Sequence, residues 1–149
     1  MLKKYNIGFD IWALIFFFII MIPNFYWFVF SAPNDILREE SVTPVLDTIA
    51  SVCQVLMIVV LCIFTHKDCK KIKITPFIIA SVICCLTYFI GWIFYYNGVT
   101  NIIVILDLCV LPCLSFLFFA IDRKNIIAVV PIVIFTMCHL IYGIVNFIV

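Results

Sequence analysis

The chain has 149 residues, of which 67% are hydrophobic and 11% are charged, and its mean hydropathy is +1.32. A soluble domain of this length cannot bury so much apolar surface, so the composition excludes a soluble globular protein and indicates one solvated partly by lipid. The net charge of +1 gives no reason to expect a nucleic-acid partner.

Five segments are apolar over the about 20 residues that a transmembrane helix needs. They are residues 8–31, 43–65, 76–96, 101–121 and 125–149. The first run is longer than the apolar core of a signal peptide, about 7–15 residues, so we expect a retained helix. The runs are too long for barrel strands and lack their alternation. The prediction is an all-α integral membrane protein, a bundle of five transmembrane helices that forms a single domain over residues 1–149.

Basic residues are concentrated in alternate connections between these segments. Eight of the nine lysines and arginines precede the first segment, follow the second or separate the fourth from the fifth. The ninth, Arg38, lies beside three acidic residues in the connection between the first two segments. Because basic loops stay in the cytoplasm, we predict an N-terminus inside and a C-terminus outside, in a bacterial-type plasma membrane.

With this orientation, polar and amphipathic side chains fall in the outer half of the bundle, whereas the inner half is almost purely apolar. They follow helical spacing: Tyr88, Trp92 and Tyr95 stand at i, i+4 and i+7, which is one helical face. The candidate ligand-binding residues are Asn24, Trp27, Asp47, Gln54, Tyr88, Trp92, Tyr95, Asp107, His139, Tyr142 and Asn146.

Two interpretations of this asymmetry stay open. Tyrosine and tryptophan favour the membrane interface, and polar side chains join transmembrane helices, so the pattern is typical of a packed bundle. Ligand sites are also built this way, from aromatic walls and a few convergent polar groups. Because Asp47, Asp107 and His139 lie too deep for the interface, the second interpretation predicts a ligand-binding cavity open to the outer side.

Asp107 is the one carboxylate in the apolar stretch "TNIIVILDLCVLPC". It lies roughly 9 Å below the outer boundary, at about 1.5 Å of rise per residue. An unpaired carboxylate at this depth is costly. We therefore expect its side chain to face the bundle and to hydrogen-bond a neighbouring helix or loop. Direct ligand or proton handling is the alternative role.

The eight cysteines form no CxxC pair, and seven lie within predicted helices. A buried cysteine commonly acts as a small hydrophobe, and a thiol oxidoreductase needs a redox pair near a surface. His139 is the one deep histidine, whereas a metal site needs several ligands. These patterns favour a function without catalysis, metal or cofactor.

Several motifs resemble the tryptophan-rich sensory protein family (TspO/translocator protein). The matching residues are Ser41 and Pro44 at the entry to the second helix, the aromatic pair Tyr95-Tyr96, the aspartate step Asp107-Leu108, and Val145-Asn146-Phe147 near the end. The resemblance implies binding of a flat, porphyrin- or sterol-like ligand in the outer half. Val42 replaces the tryptophan of the family's entry motif, and the first outer loop is shorter than the family's lid-like loop. Ligand binding is therefore implied more directly than porphyrin breakdown.

Two functions of other classes stay open beside ligand binding. In a small transporter, or a membrane subunit of a transport complex, Asp47 and Asp107 would couple protons or cations. As a structural partner subunit, the protein would act by forming part of a larger membrane assembly. The expected partners are the lipid bilayer, a hydrophobic small molecule and a second copy, because a homodimer supplies the symmetry that an odd helix number lacks.

Overall fold

The computed structural model describes residues 4–67 and 72–148. Within these ranges it has five α-helices that are long and apolar enough to cross a membrane: α1 (Ile11–Val29), α2 (Pro44–Ile63), α3 (Pro76–Tyr96), α4 (Ile102–Asp122) and α5 (Ile126–Phe147). The prediction of a five-helix membrane bundle is confirmed. The predictions that involve Cys69, Lys70, Lys71 and the last residue, Val149, lie outside the described residues.

Two short strands accompany the predicted all-α bundle, and the sequence analysis did not predict them. These strands, β1 (Tyr5–Ile7) and β2 (Phe64–His66), pair antiparallel with Tyr5 opposite His66. The first helix therefore begins at residue 11 instead of 8, and the second ends at 63 instead of 65. Asp10 sets the first boundary, because its Oδ1 accepts hydrogen bonds from the backbone N–H groups of Trp12 at 3.1 Å and Ala13 at 3.4 Å.

The other helix starts follow local sequence signals. Proline is the first residue of α2 and of α3, where its missing N–H costs no hydrogen bond. The side chains of Thr75, Asn101 and Asn125 accept hydrogen bonds from the first turns of α3, α4 and α5. Three further prolines lie inside helices, which continue past them: Pro23, Pro112 and Pro131.

Helix α4 is the centre of the bundle. It packs against α3 on one side and α5 on the other, and α2 packs against α5. Glycine allows close approach on both sides of α4, since Gly91 of α3 lies against Asp107 and Gly143 of α5 lies against Cys109. Helix α1 is peripheral. In its most apolar stretch 11% of the residues are buried inside the bundle, compared with 44% in α4.

The two ends of the bundle differ in charge. We call the end that carries β1, β2 and the α4–α5 turn the lysine-rich end, because five of the six lysines and arginines within residues 4–67 and 72–148 lie there. The opposite end carries the α1–α2 loop, with Asp35, Glu39 and Glu40, and the short turn between α3 and α4. All the candidate ligand-binding residues lie toward this opposite end or in the middle of a helix.

Candidate functional site

The structure divides the candidate residues into three groups instead of gathering them in one cavity. Asn24, Trp27, Tyr88, Trp92 and Tyr95 form an aromatic cluster between α1 and α3. Asp107 lies alone between α3 and α4. The remaining group, Asp47, Gln54, His139 and Tyr142, lines a cleft between α2 and α5, with Asn146 at its end.

The aromatic cluster is closely packed. Tyr88, Trp92 and Tyr95 are buried, so the prediction that they face the bundle is confirmed. The ring centroid of Trp92 lies 6.3 Å from that of Tyr88, 5.6 Å from that of Tyr95 and 6.3 Å from that of Trp27. These separations are ordinary for edge-to-face and tilted ring contacts. Asn24 Nδ2 also donates to the Tyr88 hydroxyl at 2.6 Å. This cluster therefore joins α1 to α3 by packing.

Asp35, which the sequence analysis did not single out, fastens the α1–α2 loop over this cluster. Its carboxylate accepts hydrogen bonds from Trp27 Nε1 at 2.9 Å and from the Tyr95 hydroxyl at 2.9 Å. It also pairs with Arg38 Nε at 2.9 Å. The guanidinium of Arg38 in turn lies 4.9 Å from the Trp27 ring centroid. The i, i+3 spacing of Asp35 and Arg38 in the sequence could have indicated this ion pair.

Asp107 is directed into the α3–α4 interface, as predicted, but the predicted hydrogen bond to a neighbouring helix or loop is wrong, because its carboxylate makes none with the described residues. Its Oδ2 is buried and has no hydrogen-bond partner among the described residues. A Cβ placed on Gly91 would lie 1.8 Å from this oxygen, so the carboxylate occupies the space that glycine leaves. The reason is geometric: Asp107 meets α3 at Gly91, where helical hydrogen bonds already use the backbone groups.

The α2–α5 cleft has two chemically different walls around a cavity of about 260 Å³. On α5, Phe135, His139 and Tyr142 form a row of rings, with centroids 4.3 Å apart for the first pair and 6.2 Å for the second. On α2, Asp47, Ser51 and Gln54 present polar side chains. The α5 wall is therefore suited to stacking a flat ring, and the α2 wall to hydrogen bonds at that ring's edge.

Polar contacts connect the two walls at the opposite end of the bundle. Asn146 Oδ1 accepts from the backbone N–H of Val42 at 2.8 Å, and Asn146 Nδ2 donates to Thr43 Oγ1 at 3.0 Å. Thr43 Oγ1 donates in turn to Asp47 Oδ1 at 3.3 Å. Asn146 therefore holds α5 to the start of α2, and acts as a positioning residue for the cleft.

Two features of the cleft point to a ligand. His139 Nδ1 is buried and has no hydrogen-bond partner among the described residues, which is costly for a polar atom unless another group supplies the bond. Ser51 is exposed, so the cleft is open beside α2. An opening beside Ser51 and a residue with an unpaired buried nitrogen, His139, therefore belong to the same cleft.

No protein-family model, no curated protein and no solved structure matches this chain. Within residues 4–67 and 72–148 no group of three or more histidine, cysteine or acidic side chains is placed to hold a metal ion. The cysteines in these ranges are free, and all except the half-buried Cys84 are buried. The site must therefore be interpreted from its own geometry.

The lysine-rich end contains a buried ion pair that the sequence analysis missed. Arg123 donates from Nε at 2.9 Å and from a terminal guanidinium nitrogen at 2.7 Å to Asp10 Oδ2. Nearby, the buried Asn125 donates to the carbonyl oxygens of Val60 at 3.1 Å and Phe64 at 2.8 Å. These contacts join α1, α2 and the α4–α5 turn. An aspartate immediately before an apolar helix was the available signal for Asp10.

Proposed function

We propose that this protein binds a flat hydrophobic ligand with a polar edge in the α2–α5 cleft. The observation that carries the proposal is the pairing of an aromatic wall, Phe135, His139 and Tyr142, with a polar wall on α2. The ligand ring stacks on the α5 side chains. A polar group on its edge bonds the unpaired Nδ1 of His139, and further polar groups bond Asp47 and Gln54.

The size of the cavity narrows the ligand class. About 260 Å³ lies just below the roughly 300–1,000 Å³ of sites that enclose drug-sized ligands. A porphyrin or sterol would therefore enter by one edge only, with the remainder lying along the lipid-facing side of the cleft. The resemblance to the tryptophan-rich sensory protein family supports the same ligand class, because those proteins are associated with tetrapyrroles.

We also propose that the lysine-rich end faces the cytoplasm of a bacterial-type cell. This assignment rests on the positive-inside rule, applied to the eight lysines and arginines in the sequence segments that precede α1, follow α2 and separate α4 from α5. It places the Asn146 end of the cleft near the outer face of the plasma membrane. A ligand would then enter at Ser51 from the outer leaflet.

A substitution at His139 tests the binding proposal. His139→Phe keeps the row of rings but removes both imidazole nitrogens, so loss of one hydrogen bond to the ligand should weaken binding about fivefold. Protoporphyrin and cholesterol, each titrated into the purified full chain in micelles, are the probes. Trp92→Phe is the matched control, because Trp92 belongs to the aromatic cluster outside the cleft.

Equal affinities of the original chain and His139→Phe would contradict the cleft proposal. A loss confined to Trp92→Phe would instead move the site to the aromatic cluster. A cooperative thermal unfolding transition of each variant in the same micelles shows that the variant is folded. A change in affinity then reflects a lost contact with the ligand.

A small transporter is the second candidate function. Its support is Asp107, whose Oδ2 is buried without a partner in the described ranges, since intramembrane carboxylates commonly mark ion or proton pathways. Asp107→Asn keeps the shape of the side chain but cannot ionise. Loss of pH-driven flux in reconstituted vesicles, at unchanged thermal stability, would support transport. No flux in the original chain would exclude it.

A further inference from the structure

A second cavity lies at the lysine-rich end, away from the α2–α5 cleft. Its volume is about 220 Å³. The lining is polar where it is formed by Asn6, Thr65 and His66 of the strand pair, by Lys67 after the pair, and by Arg123. Among the described residues of the lining, Lys67 and Arg123 are positively charged, and the one carboxylate, that of Asp10, pairs with Arg123. The cavity therefore presents an excess of positive charge.

An apolar groove begins where this cavity ends. The groove has a volume of about 190 Å³ and runs between α1 and α3, with Ile15 and Ile19 on one side and Ile78 and Val82 on the other. Trp12 lines both the polar cavity and the groove. The two spaces are therefore neighbours along α1, with the charged one at the helix start and the apolar one further toward the middle of the bundle.

We propose that the polar cavity and the apolar groove together form a binding site for one anionic phospholipid. The phosphate group lies beside Lys67 in the polar cavity, and an acyl chain follows the groove between α1 and α3. Trp12 lies at the junction, where tryptophan is favoured because its ring is amphipathic and contacts the glycerol region of lipids.

Charge and direction both select this occupant. Phospholipids change from charged to apolar along the membrane normal, and the lining changes in the same order, from Lys67 after β2 to Trp12 and then Ile19 of α1. A free phosphate would fill only the first cavity. A polar peptide would leave the groove unfilled, whereas a basic lining attracts anionic headgroups from the adjoining leaflet.

The loose packing of α1 supports the same conclusion. Between Ile11 and Val29 only Ala13 and Ile20 are buried, so α1 makes few contacts with α3 beside the groove. A lipid chain in the groove would fill the α1–α3 interface at this end. The aromatic cluster already fills the interface at the other end. We therefore expect bound phospholipid to stabilise the position of α1.

The test compares phosphatidylglycerol with phosphatidylcholine of identical chains. The purified full chain in nanodiscs that contain both lipids should retain phosphatidylglycerol preferentially when it is transferred to micelles, as measured by native mass spectrometry. Lys67→Gln should lower this preference about fivefold, the effect expected for one cation near an anionic headgroup. Lys73→Gln is the matched control, because Lys73 is an exposed cation of the same end that lines neither space.

Equal losses for Lys67→Gln and Lys73→Gln would overturn the proposal, since they indicate general attraction to a charged surface. Trp12→Ala should reduce retention of phosphatidylglycerol without changing the binding of glycerol phosphate, which has no acyl chain. If glycerol phosphate or inorganic phosphate raises thermal stability as much as the whole lipid does, the site takes a free phosphate and the lipid proposal is wrong.

Discussion

The contact between Gly91 and Asp107 shows how one residue without a side chain determines the position of another. Asp107 Oδ2 lies where a Cβ on residue 91 would stand, at 1.8 Å. The carboxylate is therefore directed against the backbone of α3 by shape alone. A carboxylate that is held by packing, without a hydrogen bond to this oxygen, makes the α3–α4 interface sensitive to small changes in volume.

Gly91→Ala should destabilise the protein. Overpacking typically costs about 1–3 kcal/mol, and the better helix propensity of alanine offsets only about 1 kcal/mol of this. The midpoint of thermal unfolding in micelles should fall. Adding Asp107→Ala should restore most of the loss, because it removes the atoms that the new methyl group meets. Gly143→Ala is the control, since its Cβ would lie 3.0 Å from Cys109 Sγ and needs a smaller adjustment.

At the scale of elements, the α1–α2 loop is attached to α3 through one side chain. The carboxylate of Asp35 contacts Trp27 at the end of α1, Tyr95 at the end of α3 and Arg38 in the loop itself. Tyr95 also accepts from the backbone N–H of Leu37 at 3.1 Å. The short loop is thus an ordered cover over the aromatic cluster, although its sequence is polar and contains Pro33.

Asp35→Ala should release this loop from α3. The indole N–H of Trp27 loses its acceptor and the ring gains access to solvent, so tryptophan emission should move to longer wavelength and quenching by acrylamide should increase. Asp35→Asn should have a smaller effect, because the amide oxygen still accepts from Trp27 and Tyr95. Glu39→Ala, an exposed acidic residue of the same loop, serves as the control. Identical spectra for all three variants would contradict the proposed attachment.

At the scale of the whole molecule, the alternation of five helices places consecutive connections at opposite ends. A membrane-impermeant thiol reagent should therefore label Asn97→Cys and Lys124→Cys from opposite faces of the membrane. With the lysine-rich end in the cytoplasm, intact cells should be labelled at position 97 only. Both positions are exposed. The unsubstituted chain is the control, because it gives the background labelling of the native cysteines. Labelling of position 124 alone would reverse the orientation.

Hydropathy predicted the number of helices and most of their bounds, because a membrane span must be apolar along its whole length. Helical spacing also predicted that Tyr88, Trp92 and Tyr95 face inward. The grouping of the site residues was not predictable in this way. Spacing gives the face of one helix, but which helix lies opposite depends on tertiary packing, and α2 packs on α5 while the tyrosines of α3 face α1. The strand pair could not be predicted from the sequence, because a strand of three residues is too short to show an alternating pattern.

The partnership of α2 with α5 has a consequence for biosynthesis. Ribosomes add about 5–20 residues per second, so α5 leaves the ribosome on the order of ten seconds after α2. During this interval the polar stripe of Asp47, Ser51 and Gln54 has no α5 to pack against. The polar side chains of α2 therefore face lipid or the translocon during this interval, and the cleft is completed only when α5 joins the bundle.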